Sequence, residues 1–246
     1  QEFNLTVLDD VSDNPLDLTK DDIALKEDHY GSDGNDKMDA GDLLSNLKLH
    51  GGKGNDELLG GKGHDELHGG EDNDILKGGL GNDTLNGGAG VDTIVYGDSD
   101  AHVSLSWSNK DKAQDTGHGL DIIDIITIEN ITSGSGNDTL RGQWKDNVLD
   151  GGSGHDKLYG DAGNDILKGG LGNDFLKGGL GNDVLEGGSG IDTLVFGDLD
   201  TTVQLAAWKH NKGQDTGHGL DTIDTKKIEN ITTGDGNDTL KGQWLD

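Results

Sequence analysis

One aliphatic residue recurs at every ninth position in two stretches of the chain, residues 51–95 and 151–195. The positions between these residues are mostly glycine, aspartate or other polar residues, in the order Gly-Gly-x-Gly-x-Asp-x-(Leu/Ile)-x. Each stretch holds five copies with no change of frame. A fixed short period indicates a repeat architecture, in which each unit buries its apolar side only by stacking on its neighbours.

The nine positions of the repeat predict short strands joined by tight loops. Positions seven to nine have strand character, and position eight faces the interior because side chains alternate across a strand. Glycines at positions one, two and four supply positive φ and close backbone approach, so positions one to six are predicted to form a loop. Two repeats then make one turn of an all-β coil of parallel strands. The inward residues are Leu58, Leu67, Leu76, Leu85, Ile94, Leu158, Leu167, Leu176, Leu185 and Leu194.

This register predicts that each repeat stacks on the second repeat after it. Asp56 would lie beside Asp74, Asp65 beside Asp83, and Asp74 beside Asp92. Carboxylates stacked at the strand spacing of about 4.8 Å repel one another unless a cation lies between them. Calcium is the expected cation because aspartate carboxylates and loop carbonyls are hard oxygen ligands.

Less regular units extend the pattern and reveal a larger duplication. Single units at residues 31–38, 116–123 and 133–141 place Asp36, Asp121 and Asp138 at position six, where Asn147 replaces aspartate in the following unit. The sequence QDTGHGLD at residues 114–121 recurs 100 positions later, at 214–221. The predicted organisation is two duplicated modules: an N-terminal cap or linker at 1–30, a first roll at 31–98, an insert at 99–132, a second roll at 133–198, and a second insert with the start of a further roll at 199–246.

The predicted metal ligands are the position-six aspartates and the carbonyls of glycines at positions two and four. The aspartates are Asp36, Asp56, Asp65, Asp74, Asp83, Asp92, Asp121, Asp138, Asp156, Asp165, Asp174, Asp183, Asp192, Asp221 and Asp238. The glycines are Gly52, Gly54, Gly61, Gly63, Gly79, Gly81, Gly152, Gly154, Gly163, Gly170, Gly172, Gly179 and Gly181. His64 and His155 at position five are interpreted as surface replacements for asparagine, since calcium does not favour imidazole.

Composition agrees with a coil that needs metal. The 48 acidic and 19 basic residues give a net charge of −29, and only 30% of the residues are hydrophobic. We expect the metal-free chain to be largely disordered and to fold when calcium binds. The acidity argues against nucleic acid as a partner, and no apolar run is long enough to predict membrane insertion. The absence of cysteine excludes a disulfide scaffold.

The ten tandem nonapeptides resemble the RTX family of secreted bacterial proteins, and the resemblance covers most of residues 31–246. It implies a right-handed parallel β-roll, several calcium ions per roll, secretion by a type I system and folding outside the cell. We expect the chain to be part of a longer polypeptide. Asp72 and Asp161 replace glycines of the repeat, and both are expected to tolerate the left-handed conformation.

No motif indicates catalysis, and we expect no enzyme activity: His-Glu-x-x-His, Gly-x-Ser-x-Gly and a phosphate loop are missing. The favoured function is a calcium-dependent folding and secretion module. A second hypothesis is a polysaccharide- or cell-surface-binding module, as in the RTX modules attached to alginate epimerases. There, Trp107, Trp144, Trp208 and Trp244 would stack on sugar rings; the other interpretation is that these side chains cover the core. A third hypothesis is the non-catalytic part of a secreted hydrolase.

Overall fold

The computed structural model describes residues 28–196 and strand segments at 17–18, 202–204, 213–215, 220–223, 230–232 and 239–241. The chain divides into two compact units. Unit 1 comprises Gln1–Ile94, Asp111–Ala113 and His118–Ile128, and unit 2 comprises Val95–Lys110, Gln114–Gly117 and Glu129–Asp246. None of the helices within the described residues is long and apolar enough to cross a membrane.

Short strands make up almost all of the regular structure. Up to residue 123 the strands are β1 (Asp17–Leu18), β2 (Asp28–Tyr30), β3 (Lys37–Asp39), β4 (Lys48–Lys53), β5 (Glu57–Gly61), β6 (Glu66–Glu71), β7 (Ile75–Gly79), β8 (Thr84–Ala89), β9 (Thr93–Val95), β10 (His102–Ser104), β11 (Ala113–Asp115) and β12 (Leu120–Ile123). A 3₁₀ turn at Trp107–Asn109 lies between β10 and β11.

The later strands continue the same pattern. They are β13 (Asn130–Thr132), β14 (Thr139–Arg141), β15 (Val148–Asp150), β16 (Lys157–Ala162), β17 (Ile166–Leu171), β18 (Phe175–Leu180), β19 (Val184–Ser189), β20 (Thr193–Val195), β21 (Thr202–Gln204), β22 (Gly213–Asp215), β23 (Leu220–Ile223), β24 (Asn230–Thr232) and β25 (Thr239–Lys241).

Alternate strands pair in parallel within each unit. In unit 1 the orders are β1-β3-β5-β7-β9 and β2-β4-β6-β8-β12, and in unit 2 they are β13-β15-β17-β19-β23 and β10-β14-β16-β18-β20-β24. Leu58 pairs with Leu76, and Leu158 with Leu176, which is one turn of 18 residues. The pairing of β22 with β23 is antiparallel. The predicted all-β class and parallel coil are confirmed.

The core of each coil is a column of position-eight side chains. The ten predicted inward residues, Leu58 to Ile94 and Leu158 to Leu194, are all 0% exposed. Met38, Leu49, Leu140 and Leu149 continue the same columns in the less regular units. One buried aliphatic residue per repeat makes a narrow core, so other contacts must hold the turns together.

The strands are longer than the sequence predicts. In β6 and β17 they run from position seven through position three of the next repeat, so the prediction of a six-residue loop is wrong. The ladder continues because the N–H of Leu80 donates to the carbonyl of Gly61, and that of Leu171 to the carbonyl of Gly152, both at 2.8 Å. The remaining turn is only about three residues long.

The first strand of the insert, β10, is part of the coil. Strand β10 pairs with β14, and Val103 and Leu105 point inward with at most 1% exposure. The alternation then stops at the 3₁₀ turn, where Trp107 is 66% exposed. Trp144 is 68% exposed, so neither side chain covers the core, while Trp208 and Trp244 lie outside the described residues.

Candidate metal centre

The position-six aspartates form a ladder from turn to turn. The N–H of Asp56 donates to Oδ1 of Asp74, and the N–H of Asp74 donates to Oδ1 of Asp92, both at 2.8 Å. The N–H of Asp65 donates in the same way to Oδ1 of Asp83 at 2.8 Å. The predicted neighbours are therefore brought together in the predicted register. Unit 2 repeats the ladder from Asp138 to Asp156, Asp156 to Asp174, Asp165 to Asp183 and Asp174 to Asp192 at 2.8–3.0 Å.

Two position-six residues in successive turns form a rung of the ladder. In many rungs, the second oxygen of an aspartate carboxylate is buried without a hydrogen bond. Within residues 28–196, Oδ2 has no hydrogen-bond partner in Asp56, Asp65, Asp74, Asp83, Asp156, Asp165 and Asp174. Each of these side chains is at most 2% exposed. A buried carboxylate oxygen without a hydrogen bond is costly, so repeated oxygens of this kind fit a site for a cation.

The position-one glycines keep the space beside these oxygens open. A Cβ on Gly60 would lie 2.6 Å from Oδ2 of Asp65 and 2.6 Å from the carbonyl oxygen of Gly78, one turn later. Both distances are shorter than a real Cβ contact, so only glycine lets the carboxylate and the carbonyl of the next turn lie this close to the backbone. Gly51 and Gly60 do not have positive φ. The expectation of positive φ at position one is wrong there, because close approach is what requires glycine.

The glycines at positions two and four supply the turn geometry. Of the predicted carbonyl ligands, all except Gly63 have φ between 84° and 138°. Their carbonyl groups point along the stack, since a Cβ added at the glycine one turn later would collide with the oxygen of Gly52, Gly61, Gly63, Gly152, Gly154, Gly163, Gly170 or Gly172. Asp72 and Asp161 have φ of 77° and 74°, so the predicted left-handed conformation is confirmed at both.

Burial perturbs the acidity of the ladder. Desolvation raises the pKa of Asp56, Asp65, Asp74, Asp156 and Asp165 to about 7, with a further rise from neighbouring carboxylates. Hydrogen bonds from backbone N–H groups of the preceding turn oppose this rise. Ladder carboxylates without a cation are therefore unfavourable in their charged form at neutral pH.

The less regular units place their aspartates in different environments. Asp121 joins the ladder, because its Oδ1 accepts the N–H of Asp83 at 2.9 Å. Oδ1 of Asp138 accepts the N–H of Ala101 at 2.7 Å. Asp36 is bonded within its own loop, where the N–H and Oγ of Ser32 donate to it at 2.5–3.2 Å. Asp221 lies in β23 with its side chain undescribed, and Asp238 lies outside the described residues.

The donor set fits a hard cation bound partly by the backbone. Within the described part of the chain, no group of three His, Cys, Asp or Glu side chains comes close enough to hold a metal ion. A cation bound here would therefore need carbonyl oxygens of the turns in addition to the carboxylates of one rung. Oxygen-only coordination with flexible geometry is what calcium accepts, whereas magnesium demands near-ideal octahedral sites.

The sequence analysis missed a second ladder at position five. Oδ1 of Asn55 accepts the N–H of Asn73 at 2.9 Å, and Oδ1 of Asn73 accepts the N–H of Val91 at 2.7 Å. His64 and His155 take part through Nδ1, each accepting an asparagine N–H at 2.8 Å, so their role as asparagine replacements is confirmed. The frequent Asn-Asp pairs in the repeats are the signal that could have revealed this ladder.

A parallel β-solenoid with stacked, inward-facing aspartates and oxygen-lined turns is a cation-binding repeat protein by its fold and its site. Comparison with family models identifies the repeat. The model for the RTX calcium-binding nonapeptide repeat (4 copies) matches residues 48–76, 68–100, 127–158, 159–194 and 228–244. The chain belongs to this family and is a calcium-binding RTX β-roll, and proteins of this family are typically secreted by bacteria. No curated protein matches the chain.

Proposed function

We propose that this chain is the calcium-binding region of a larger secreted protein, without catalytic activity of its own. It folds on calcium binding outside the cell, and in this way supports type I secretion and the stability of the exported protein. The observation that carries the proposal is the ladder of buried aspartates whose Oδ2 atoms have no hydrogen-bond partner within residues 28–196.

The coupling of folding to calcium follows from charge and burial. The free chain has a net charge of −29, and folding buries carboxylates that repel one another along each ladder. A bound calcium ion would neutralise a pair of these carboxylates and tie successive turns together. The chain's own contribution is to place Oδ2 against a position-one glycine and to aim loop carbonyls along the stack. Several such rungs are present in each unit, which supports several ions per roll.

A change in calcium concentration fits this coupling to export. Extracellular calcium modules bind with dissociation constants of about 10⁻⁴–10⁻³ M, so sites of that strength stay empty at cytosolic calcium levels. The chain would leave the cell unfolded and fold once outside. Both the secreted location and the export route rest on the family and on this argument.

Polysaccharide binding is a second candidate function, favoured by the exposure of two aromatic side chains. Trp107 and Trp144 are 66% and 68% exposed, and the ammonium group of Lys110 lies 5.2 Å from the ring centroid of Trp107. An exposed indole beside a cation can stack on a sugar that bears a carboxylate. Titration of the calcium-loaded chain and its Trp107→Ala variant with neutral and acidic polysaccharides tests this function. A loss of binding in the variant supports it, and no binding by the parent chain rejects it.

The main proposal is tested by circular dichroism of the chelator-stripped chain during a calcium titration, with magnesium as the control. A cooperative gain of β signal with calcium alone is the expected result. A chain that is already folded without metal would contradict the proposal, because the unpaired carboxylates would then be tolerated by the fold itself.

A further inference from the structure

One rung in unit 2 is built from different residues. In the rung of Asn147 and Asp165, Oδ1 of Asp165 accepts the N–H of Asn147 at 2.8 Å, and Oδ2 lies beside Gly160 without a hydrogen-bond partner, as in the all-aspartate rungs. One turn earlier, the position-six residues are Glu129 and Asn147, whose strands are joined by the pairing of Ile131 with Leu149. This earlier rung has no position-six aspartate.

The amide of Asn147 uses both of its polar atoms within the protein. Its Nδ2 donates to the carbonyl oxygen of Glu129 at 2.6 Å, and its Oδ1 accepts the N–H of Gln143 at 2.8 Å. Asn147 is 1% exposed, so these bonds satisfy a buried group. The oxygen that remains unbonded in the aspartate rungs is therefore already bonded here, and no anionic ligand is offered by this side chain.

A lysine supplies positive charge at the same rung. Lys145 occupies position four of its unit, where the regular repeat has glycine. Its Nζ forms an ion pair with Oε1 of Glu129, a residue that is 5% exposed. A buried carboxylate requires a charge partner, and Lys145 provides it from the loop one turn later.

We propose that the rung of Glu129 and Asn147 is calcium-free, with the ammonium group of Lys145 taking the place of the divalent ion. The inference rests on the proposed function, since it contrasts this rung with rungs that hold calcium. The residues here do not fit a calcium site: one carboxylate is already paired with a cation, and the other position-six side chain is an amide.

The second copy of the sequence offers a natural substitution for testing the lysine. The segment Gly142-Gln143-Trp144-Lys145-Asp146 recurs as Gly242-Gln243-Trp244-Leu245-Asp246, with leucine in place of lysine. Lys145→Leu therefore removes the ammonium with a residue that the repeat itself uses. Lys157→Leu is the matched control because Lys157 is an exposed strand residue of the same unit.

The first experiment counts bound calcium per chain by equilibrium dialysis. Asn147→Ala is expected to leave the count unchanged. Asp165→Asn is expected to lower it by about two ions, because Asp165 belongs to the rungs with Asn147 and with Asp183. The double variant Asn147→Asp with Lys145→Gly restores the regular residues at positions four and six and is expected to bind about one more ion. A lower count for Asn147→Ala, or an unchanged count for a folded double variant, overturns the inference.

The second experiment keeps the inference testable if the double variant does not fold. Lys145→Leu is expected to lower the unfolding midpoint of the calcium-saturated chain, because Glu129 then stays buried without its cation. Lys157→Leu is expected to leave the midpoint unchanged. Equal midpoints for the two variants would overturn the inference. Failure of the proposed function looks different, since the parent chain would then bind no calcium and Asp165→Asn would have no effect on the count.

Discussion

The position of an aspartate along the ladder should decide how much its substitution lowers the free energy of unfolding of the calcium-loaded chain. We expect Asp74→Ala to destabilise the calcium-loaded unit 1 far more than Asp36→Ala. Asp74 belongs to two rungs, because its Oδ1 accepts the N–H of Asp56 and its own N–H donates to Asp92. Asp36 donates its N–H to Asp56, while its carboxylate is bonded to Ser32 within its own loop.

The magnitude follows from the number of rungs and from one backbone bond. At 10 mM free calcium, a site with a dissociation constant of about 10⁻⁴–10⁻³ M stabilises the folded state by about 1.4–2.7 kcal/mol. Loss of two such sites, together with about 1–3 kcal/mol for the buried N–H of Asp56, predicts about 4–8 kcal/mol for Asp74→Ala. For Asp36→Ala, which affects one rung, the prediction is about 1.4–2.7 kcal/mol.

Denaturant unfolding at 10 mM calcium, followed by circular dichroism and by hydrogen exchange of peptides from residues 48–80, measures these losses. Asp74→Asn is the control for the backbone bond, since its Oδ1 can still accept the N–H of Asp56. Compared with Asp74→Ala, Asp74→Asn should regain the free energy of the backbone hydrogen bond but not that of the two calcium sites. If Asp74→Ala and Asp36→Ala cost the same, Asp74 is not shared between rungs and the reasoning from the ladder is refuted.

Three further predictions concern pH, the core and the position-one glycines. Because burial raises the pKa of Asp165 to about 7 against about 3.9 in an unfolded chain, the folded metal-free coil binds the extra proton. Its stability should therefore grow as pH falls from about 7 to 4, and a metal-free β signal that is no stronger at pH 5 than at pH 7.5 would contradict this. Leu76→Ala should cost about 2–5 kcal/mol in calcium-loaded denaturation, with Ile75→Ala on the exposed side of the same strand as a near-neutral control. Gly60→Ala should reduce bound calcium in dialysis by displacing Oδ2 of Asp65, and an unchanged count would show that glycine is not needed at this position.

The strict period made the register and the core predictable. Once two repeats are assigned to a turn, the positions of Leu58 and Leu76 follow, and so does the contact of Asp56 with Asp74. The ends of the strands could not be predicted in the same way. Glycine at positions one and two suggests a loop from its conformational freedom, yet in β6 these residues continue the ladder because the next turn offers backbone partners.

In the units that depart from the nine-residue period, the partners of the ladder could not be predicted from the sequence. Separations of 20, 38 and 37 residues join Asp36 to Asp56, Asp83 to Asp121 and Ala101 to Asp138, so counting in nines does not lead from one partner to the other. Glu129 occupies position six within the predicted insert, where the sequence gives no glycine pattern to mark it. Its pairing with Lys145 depends on which turns stack, which only the folded chain determines.

The hydrogen bonds of the aspartate ladder all run in one direction, which makes the two edges of a coil chemically different. Each position-six N–H donates to the carboxylate of the turn that follows in sequence. A coil shortened from its N-terminal side would therefore end in carboxylates that have lost their donors, as Asp65 would without the N–H of Leu47. A coil shortened from its C-terminal side would end in amides that have lost their acceptors. The first edge is anionic and attracts cations, whereas the second is a row of free donors open to pairing with another strand, so engineered arrays need a different terminal cap at each edge.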